Sequence, residues 1–87
     1  MTVAKVVGSV VSTNKNDKLV GCKFMLVEPY YTPGKKNRFI AVDSVGAGIG
    51  EIVLVATGSA ARKSYGLDTA PVDATIVGIV DACSDLE

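Results

Sequence analysis

The sequence contains no histidine and no tryptophan, and only two of its 87 residues are cysteines. Without histidine the chain cannot form a Cys-His pair, and it lacks both the commonest general base and a common zinc ligand. Cys22 and Cys83 lie far apart in the sequence. We therefore expect no metal site and two reduced, partly buried thiols, with a disulfide between them as the less favoured alternative.

Net charge and long apolar runs are also absent. Nine basic residues balance nine acidic ones, so no overall field attracts nucleic acid or an anionic membrane surface. No uncharged stretch approaches the roughly 20 residues that span a bilayer, and the N-terminus has no convincing signal-peptide cleavage site. We expect a cytosolic protein with no nucleic-acid partner and no membrane partner.

Motifs for nucleophilic catalysis and for phosphate binding are incomplete. The segment Thr57 to Ala61 lacks the second glycine of a nucleophile elbow. In the glycine-rich loop further upstream, Gly46 and Gly48 fit a dinucleotide fingerprint, but Glu51 stands where the third glycine belongs and an apolar strand follows. Asp43 and Glu51 flank the loop and could be read as a carboxylate pair, although such residues usually cap turns. We expect no catalytic residue and no cofactor.

The sequence is rich in apolar residues for its length. Hydrophobic residues make up 48% of the chain before its nine glycines are counted, whereas an average globular protein has about 45 to 50% with glycine included. A domain of 87 residues buries only a modest fraction of its surface when it is alone. We therefore expect one domain, residues 1–87, whose surplus apolar surface is buried in a subunit interface.

Alternating apolar residues and intervening turn residues predict five short strands, at about residues 4–13, 22–28, 38–43, 51–56 and 74–82. In the first strand, Ala4, Val6 and Val10 are expected to share one face. Gly78 marks a bend in the last strand. The one helix candidate is a single turn at residues 59–63, with Ser59 as its N-cap. The predicted fold is all-β, a small and partly open five-stranded barrel like the OB-fold.

An OB-like barrel raises the alternative of a module that binds single-stranded nucleic acid. Such modules stack bases on exposed aromatic rings beside basic residues. Phe24 and Phe39 fall within predicted strands, so we expect them in the core. The best site for nucleic-acid contact is the loop after the second strand, which contains or adjoins Tyr30, Tyr31, Lys35, Lys36 and Arg38.

Three separate segments resemble the EutN/CcmL family, the small vertex proteins of bacterial microcompartment shells. The first begins with Gly8 to Thr13 and continues to Lys23. The second is the glycine loop with the strand after it, Asp43 to Arg62, and the third is Pro71 to Asp81. Three motifs in order and at the expected spacing are more specific than one glycine loop, and together they cover most of the chain.

The resemblance implies a structural protein without enzymatic activity. It implies a homopentamer of OB-like barrels that occupies the vertices of a cytoplasmic polyhedral shell, with hexameric shell proteins as partners. Both carboxysomes and metabolosomes are compatible with these residues, and no motif distinguishes between them.

The resemblance also gives the glycine loop a role at the fivefold axis. A loop nearest the axis of a ring meets its own copies and has little room for side chains. The resemblance therefore implies that a narrow central pore is lined by Gly46, Ala47, Gly48, Ile49 and Gly50. The alternative is the commoner use of glycine, to permit positive φ in a tight connection.

Four residues are expected at the contact between subunits: Glu51, Ser59, Arg62 and Asp73. The planar guanidinium of Arg62 suits a carboxylate partner, and Glu51 and Asp73 are the preferred partners across a subunit boundary. Two alternatives stay open. Arg62 could be an exposed cation at a helix end, and Asp73 could hydrogen-bond nearby backbone amides.

Overall fold

The computed structural model describes residues 1–11, 21–58 and 73–81. These residues form five strands, β1 (Thr2–Val10), β2 (Lys23–Pro29), β3 (Phe39–Asp43), β4 (Ile52–Thr57) and β5 (Ala74–Ile79). A single 3₁₀ turn, Lys35–Asn37, precedes β3. The prediction of five strands is confirmed, although β1 ends at Val10 instead of residue 13 and β5 at Ile79 instead of residue 82. The helical turn predicted at residues 59–63 lies outside the described residues.

The strands form a closed barrel in the order β1-β2-β3-β5-β4. β1 pairs antiparallel with β2 on one side and with β4 on the other. β3 and β5 run parallel and share two register pairs, Val42 with Thr75 and Asp43 with Ile76. The predicted five-stranded barrel is therefore confirmed, but it is closed where a partly open one was expected, because this short parallel contact joins the two remaining edges.

The core lies inside the barrel and is filled by every second side chain of the strands. Its members include seven residues that are each at most 2% exposed: Ala4, Val6, Met25, Val27, Val53, Val55 and Ile76. Burying one such aliphatic side chain stabilises the fold by about 1.5 to 3 kcal/mol. Phe39 packs against this core, partly buried, as predicted. Phe24 is only half-buried, because it precedes the inward-facing Met25 and therefore points to the outer face.

A bulge in β1 changes which of its side chains face inward. Val6 pairs with Val27 of β2, but the next pair is Gly8 with Leu26, so β1 contains one extra residue. Beyond such a bulge the alternation of faces is reversed. Ala4 and Val6 are fully buried as predicted, whereas Val10 is 36% exposed. The expectation that Val10 shares their face was wrong for this reason.

A second irregularity lies in β5 beside Gly78, where a bend was predicted. Leu54 of β4 pairs with Gly78 and its neighbour Val55 pairs with Ile76. One residue of β5 is therefore unpaired, and the strand changes direction against β4. No helix in the described ranges is long and apolar enough to span a membrane.

Large apolar side chains remain exposed on the outside of the single subunit. Ile49 is 67% exposed, Tyr31 65%, Ile40 43% and Val45 40%. Two of these, Val45 and Ile49, belong to the loop between β3 and β4. Their exposure agrees with the apolar excess of the sequence and draws attention to that loop as a contact surface.

Candidate functional site

The glycine loop, residues 44–51, connects β3 to β4 at one end of the barrel. Asp43, the last residue of β3, is 7% exposed, and its carboxylate accepts three backbone hydrogen bonds from the loop. The N–H groups of Val45 and Gly46 donate to Oδ1 at 3.0 and 3.1 Å. The N–H of Ala47 donates to Oδ2 at 2.9 Å. The carboxylate thus fixes the first half of the loop.

Further bonds fix the two ends of the loop. The Ser44 hydroxyl donates to the carbonyl oxygen of Ile76 at 2.6 Å, and the Gly50 N–H donates to the carbonyl oxygen of Val6 at 2.8 Å. The Glu51 carboxylate accepts the N–H of Gly48. Asp43 and Glu51 are therefore turn caps, the more ordinary of the two interpretations of this carboxylate pair.

The three glycines of the loop are required for different reasons. Gly46 has φ of 78° and Gly50 has φ of 94°, a region that other residues enter only with strain. Gly48 is not among the glycines with positive φ. A Cβ at Gly48 would lie 3.2 Å from the Glu51 Oε1, a close contact with the mobile end of a side chain. Local conformation therefore accounts for Gly46 and Gly50 and leaves Gly48 as the position where crowding can be tested.

The five residues predicted to line an axis differ in exposure. Gly46, Ile49 and Gly50 are exposed and Gly48 is half-buried. Ala47 is 1% exposed and belongs to the hydrophobic core of its own subunit. Because the Ala47 side chain points into the barrel, only the rest of the loop presents side chains or backbone outward. The position of the loop at an axis stays a prediction.

The predicted interface residues fall into two groups. Glu51 directly precedes β4, whereas Asp73 lies at its far end, where the Asp73 carbonyl accepts the N–H of Gly58 at 2.8 Å. The six residues of β4 separate them by about 20 Å, so they do not form one carboxylate cluster within a subunit. The Asp73 residue is exposed. Ser59 and Arg62 lie outside the described residues.

The loop between β2 and β3 is organised by Glu28, a role that the sequence analysis missed. Glu28 Oε1 accepts the N–H of Gly34 at 3.0 Å, and Oε2 lies 3.6 Å from the Arg38 guanidinium. The rings of Tyr30 and Tyr31 pack edge to face with centroids 5.4 Å apart. Arg38 is therefore paired inside its own subunit, which weakens the basic and aromatic site on which the nucleic-acid alternative depended.

Comparison with known proteins identifies the same family over most of the chain. The family model described as ethanolamine utilisation protein EutN/carboxysome matches residues 1–81. A carboxysome shell vertex protein, CcmL of Synechocystis sp., is 52% identical over 83 residues, covering 93% of this chain and 83% of the relative.

Solved structures show the same barrel. CcmL of Gloeobacter violaceus superposes with a TM-score of 0.87 at 41% identity, covering 97% of this chain and 89% of the other. GrpN of Rhodospirillum rubrum, a pentameric microcompartment shell protein, superposes with a TM-score of 0.84 at 42% identity, covering 97% and 98%. These relatives give the nucleic-acid alternative no support.

Proposed function

This chain belongs to the EutN/CcmL family, and we propose that its glycine loop lines the axis of the pentamer that the chain forms at the vertices of a microcompartment shell. The observation that supports this function is the family match over residues 1–81, together with the barrel shared with a pentameric shell protein over 97% of the chain. The protein is a structural component of a shell within the cytoplasm and not an enzyme.

The function of such a pentamer is geometric. Flat sheets of hexamers cannot close into a polyhedron, so a fivefold unit at each corner supplies the required curvature. We propose that the neighbours of this pentamer are hexameric shell proteins. Shape and edge contacts are sufficient for this role, and the exposed apolar side chains Ile40 and Tyr31 are available on the outside of the barrel for contacts between chains.

The loop residues Gly46, Ala47, Gly48, Ile49 and Gly50 fit a position at the axis in three respects. The outward-facing members are glycine or a single exposed isoleucine, so copies of the loop can approach closely. Gly48 lacks a side chain although its backbone does not require this. The buried Ala47 anchors the loop on the barrel of its own subunit, so that the glycines on either side of it face outward.

The contact between adjacent subunits is proposed to include Glu51, Ser59, Arg62 and Asp73. Because Glu51 and Asp73 flank opposite ends of β4, a single subunit does not offer both carboxylates to one arginine. An Arg-carboxylate pair across a closed cyclic interface is repeated in every subunit, so its loss is repeated as well.

Deletion of the gene tests the proposed function in the host. We expect shell proteins and enclosed enzymes to remain present, with shells that are misshapen or leaky in electron micrographs and with unchanged specific activity of each enzyme in lysate. The reason is that a vertex protein controls closure and contributes no chemistry. Complementation with the unaltered gene is the control. Shells of normal shape in the deletion strain, or a loss of one enzyme's specific activity, would contradict the proposal.

A further inference from the structure

We propose that Asp43 is a positioning residue that holds the glycine loop in the shape required for ring assembly before the subunits meet. This inference rests on the proposed position of the loop at the pentamer axis. It concerns a residue that makes no contact across the ring itself, because the Asp43 side chain is buried beneath the loop of its own subunit.

The backbone around Asp43 forms an anion-binding site, and the Asp43 carboxylate itself occupies it. Consecutive N–H groups of residues 45, 46 and 47 converge on its two oxygens at 2.9 to 3.1 Å. Such convergent backbone donors favour a negative charge. The Lys23 ammonium lies 4.0 Å from Oδ2, but its side chain is 58% exposed whereas that of Asp43 is 1% exposed. The backbone donors are therefore the main compensation for the buried charge.

Without this carboxylate, the segment between Ser44 and Gly48 is held by the burial of Ala47, since the other hydrogen bonds lie at the two ends of the loop. Glycines at positions 46, 48 and 50 leave it with unusual conformational freedom, and the exposed residues Gly46 and Ile49 contribute few contacts of their own. Glu51 supplies one hydrogen bond from its side chain, and Asp43 supplies three. Asp43 is thus the dominant restraint on the half of the loop that precedes Gly48.

Restraint of the loop affects assembly through the fraction of subunits that are competent to associate. If only a tenth of the free subunits hold the loop correctly, their apparent affinity falls about tenfold. In a closed ring this factor enters once for each subunit. We therefore compare two variants of equal stability, one with a loosened loop and one with a substitution elsewhere. The variant with the loosened loop is expected to dissociate at a considerably higher concentration.

Asp43→Asn is the sharpest perturbation, because it removes the charge and one acceptor while keeping the shape. The amide oxygen can still accept from Val45 and Gly46, but the NH₂ group would face the N–H of Ala47. Residue-resolved hydrogen exchange is expected to show at least a tenfold loss of protection at Ala47, with smaller changes at Val45 and Gly46. Native mass spectrometry across a dilution series is expected to show that the ring dissociates at a protein concentration at least tenfold higher than for the original protein.

Val55→Ala is the matched control. Val55 is fully buried and pairs with Ile76 of β5, whose carbonyl accepts the Ser44 hydroxyl. Its truncation lowers stability but removes none of the three hydrogen bonds to Asp43. Asp43→Ala serves as the stronger member of the series. If Asp43→Ala does not fold, the comparison of Asp43→Asn with Val55→Ala at equal loss of melting temperature still decides the question. Equal ring stability in these two variants, or unchanged exchange at Ala47, would overturn the inference.

Gly48→Val in the same assay separates this inference from the proposed location of the loop. If Gly48→Val weakens the ring and Asp43→Asn does not, the loop is at the axis but Asp43 is not what positions it. If neither variant weakens the ring, the location at the axis is itself wrong. We expect both variants to weaken the ring, and we expect the ring of Val55→Ala to dissociate at the original concentration.

Discussion

Substitution of Gly48 by alanine tests whether the glycine loop is crowded by its own copies. Inside one subunit the change is mild. Gly48 has no positive φ, and its new Cβ would lie 3.2 Å from the Glu51 Oε1, so the carboxylate must move by only a few tenths of an ångström. Replacing glycine at a compatible position also stabilises the fold by about 0.4 to 1 kcal/mol through the unfolded state. We expect the free energy of unfolding to change by no more than about 1 kcal/mol.

In a pentamer the same methyl group would be added five times around the axis. Extra methyl groups in a well-packed contact cost about 1 to 3 kcal/mol each, and each 1.4 kcal/mol is a tenfold change in an association constant. We therefore expect Gly48→Ala to shift ring dissociation by tenfold or more at nearly unchanged subunit stability, and Gly48→Val to abolish the ring.

Native mass spectrometry across a dilution series, paired with thermal unfolding, measures both quantities. Gly34 lies outside this loop, but its φ is 141°, so its substitution is strained. It is instead matched with Gly50, whose φ is 94°, because Gly34→Ala and Gly50→Ala both introduce strain and only one lies in the loop. Rings of Gly48→Ala and Gly48→Val that are as stable as the original would refute crowding at the axis. A Gly50→Ala ring no weaker than that of Gly34→Ala would lead to the same conclusion.

Three further predictions concern the whole subunit. Analytical ultracentrifugation of the purified chain at micromolar concentration is expected to show an all-β oligomer, and a compact 9.0 kDa species under native conditions would contradict this. Ile76→Val is expected to lower the free energy of unfolding by about 0.5 to 1.5 kcal/mol, because Ile76 is fully buried in the core; denaturant titration measures it, and no change would indicate that the barrel interior is loosely packed. Arg62→Ala is expected to destabilise the ring by several kcal/mol per contact if it leaves a buried interfacial carboxylate unpaired. Native mass spectrometry measures this, and a ring that dissociates at the original concentration would indicate that Arg62 is an exposed cation.

The strands could be predicted from the sequence because they depend on local alternation. β2, β3 and β4 lie within one or two residues of their expected bounds. The outward orientation of the Val10 side chain could not be predicted. It depends on the bulge after Val6, which is specified by pairing with β2 and not by the sequence of β1 itself. Closure of the barrel was missed for a similar reason, since it depends on a contact between residues more than 30 positions apart.

The candidate site was predicted in part. The glycine loop and the capping role of Asp43 and Glu51 could be inferred, because acidic residues beside a glycine-rich turn commonly bind its amides. The inward position of Ala47 could not, because it depends on the path of the loop over the open end of the barrel. The separation of Glu51 from Asp73 was available in principle, since an antiparallel β4 and β5 place the start of one strand beside the end of the other.

The short parallel contact between β3 and β5 has a consequence for how the chain folds. β1, β2 and β3 follow one another as antiparallel neighbours, and such local pairings form early. The β3 to β5 contact consists of two register pairs and must wait until the ends of a long segment meet, which makes it slow. Until it forms, β3 and β5 each expose an unpaired edge that can pair with another chain. The nascent subunit is therefore most prone to aggregation immediately before closure, and rapid assembly into rings does not protect it at that stage.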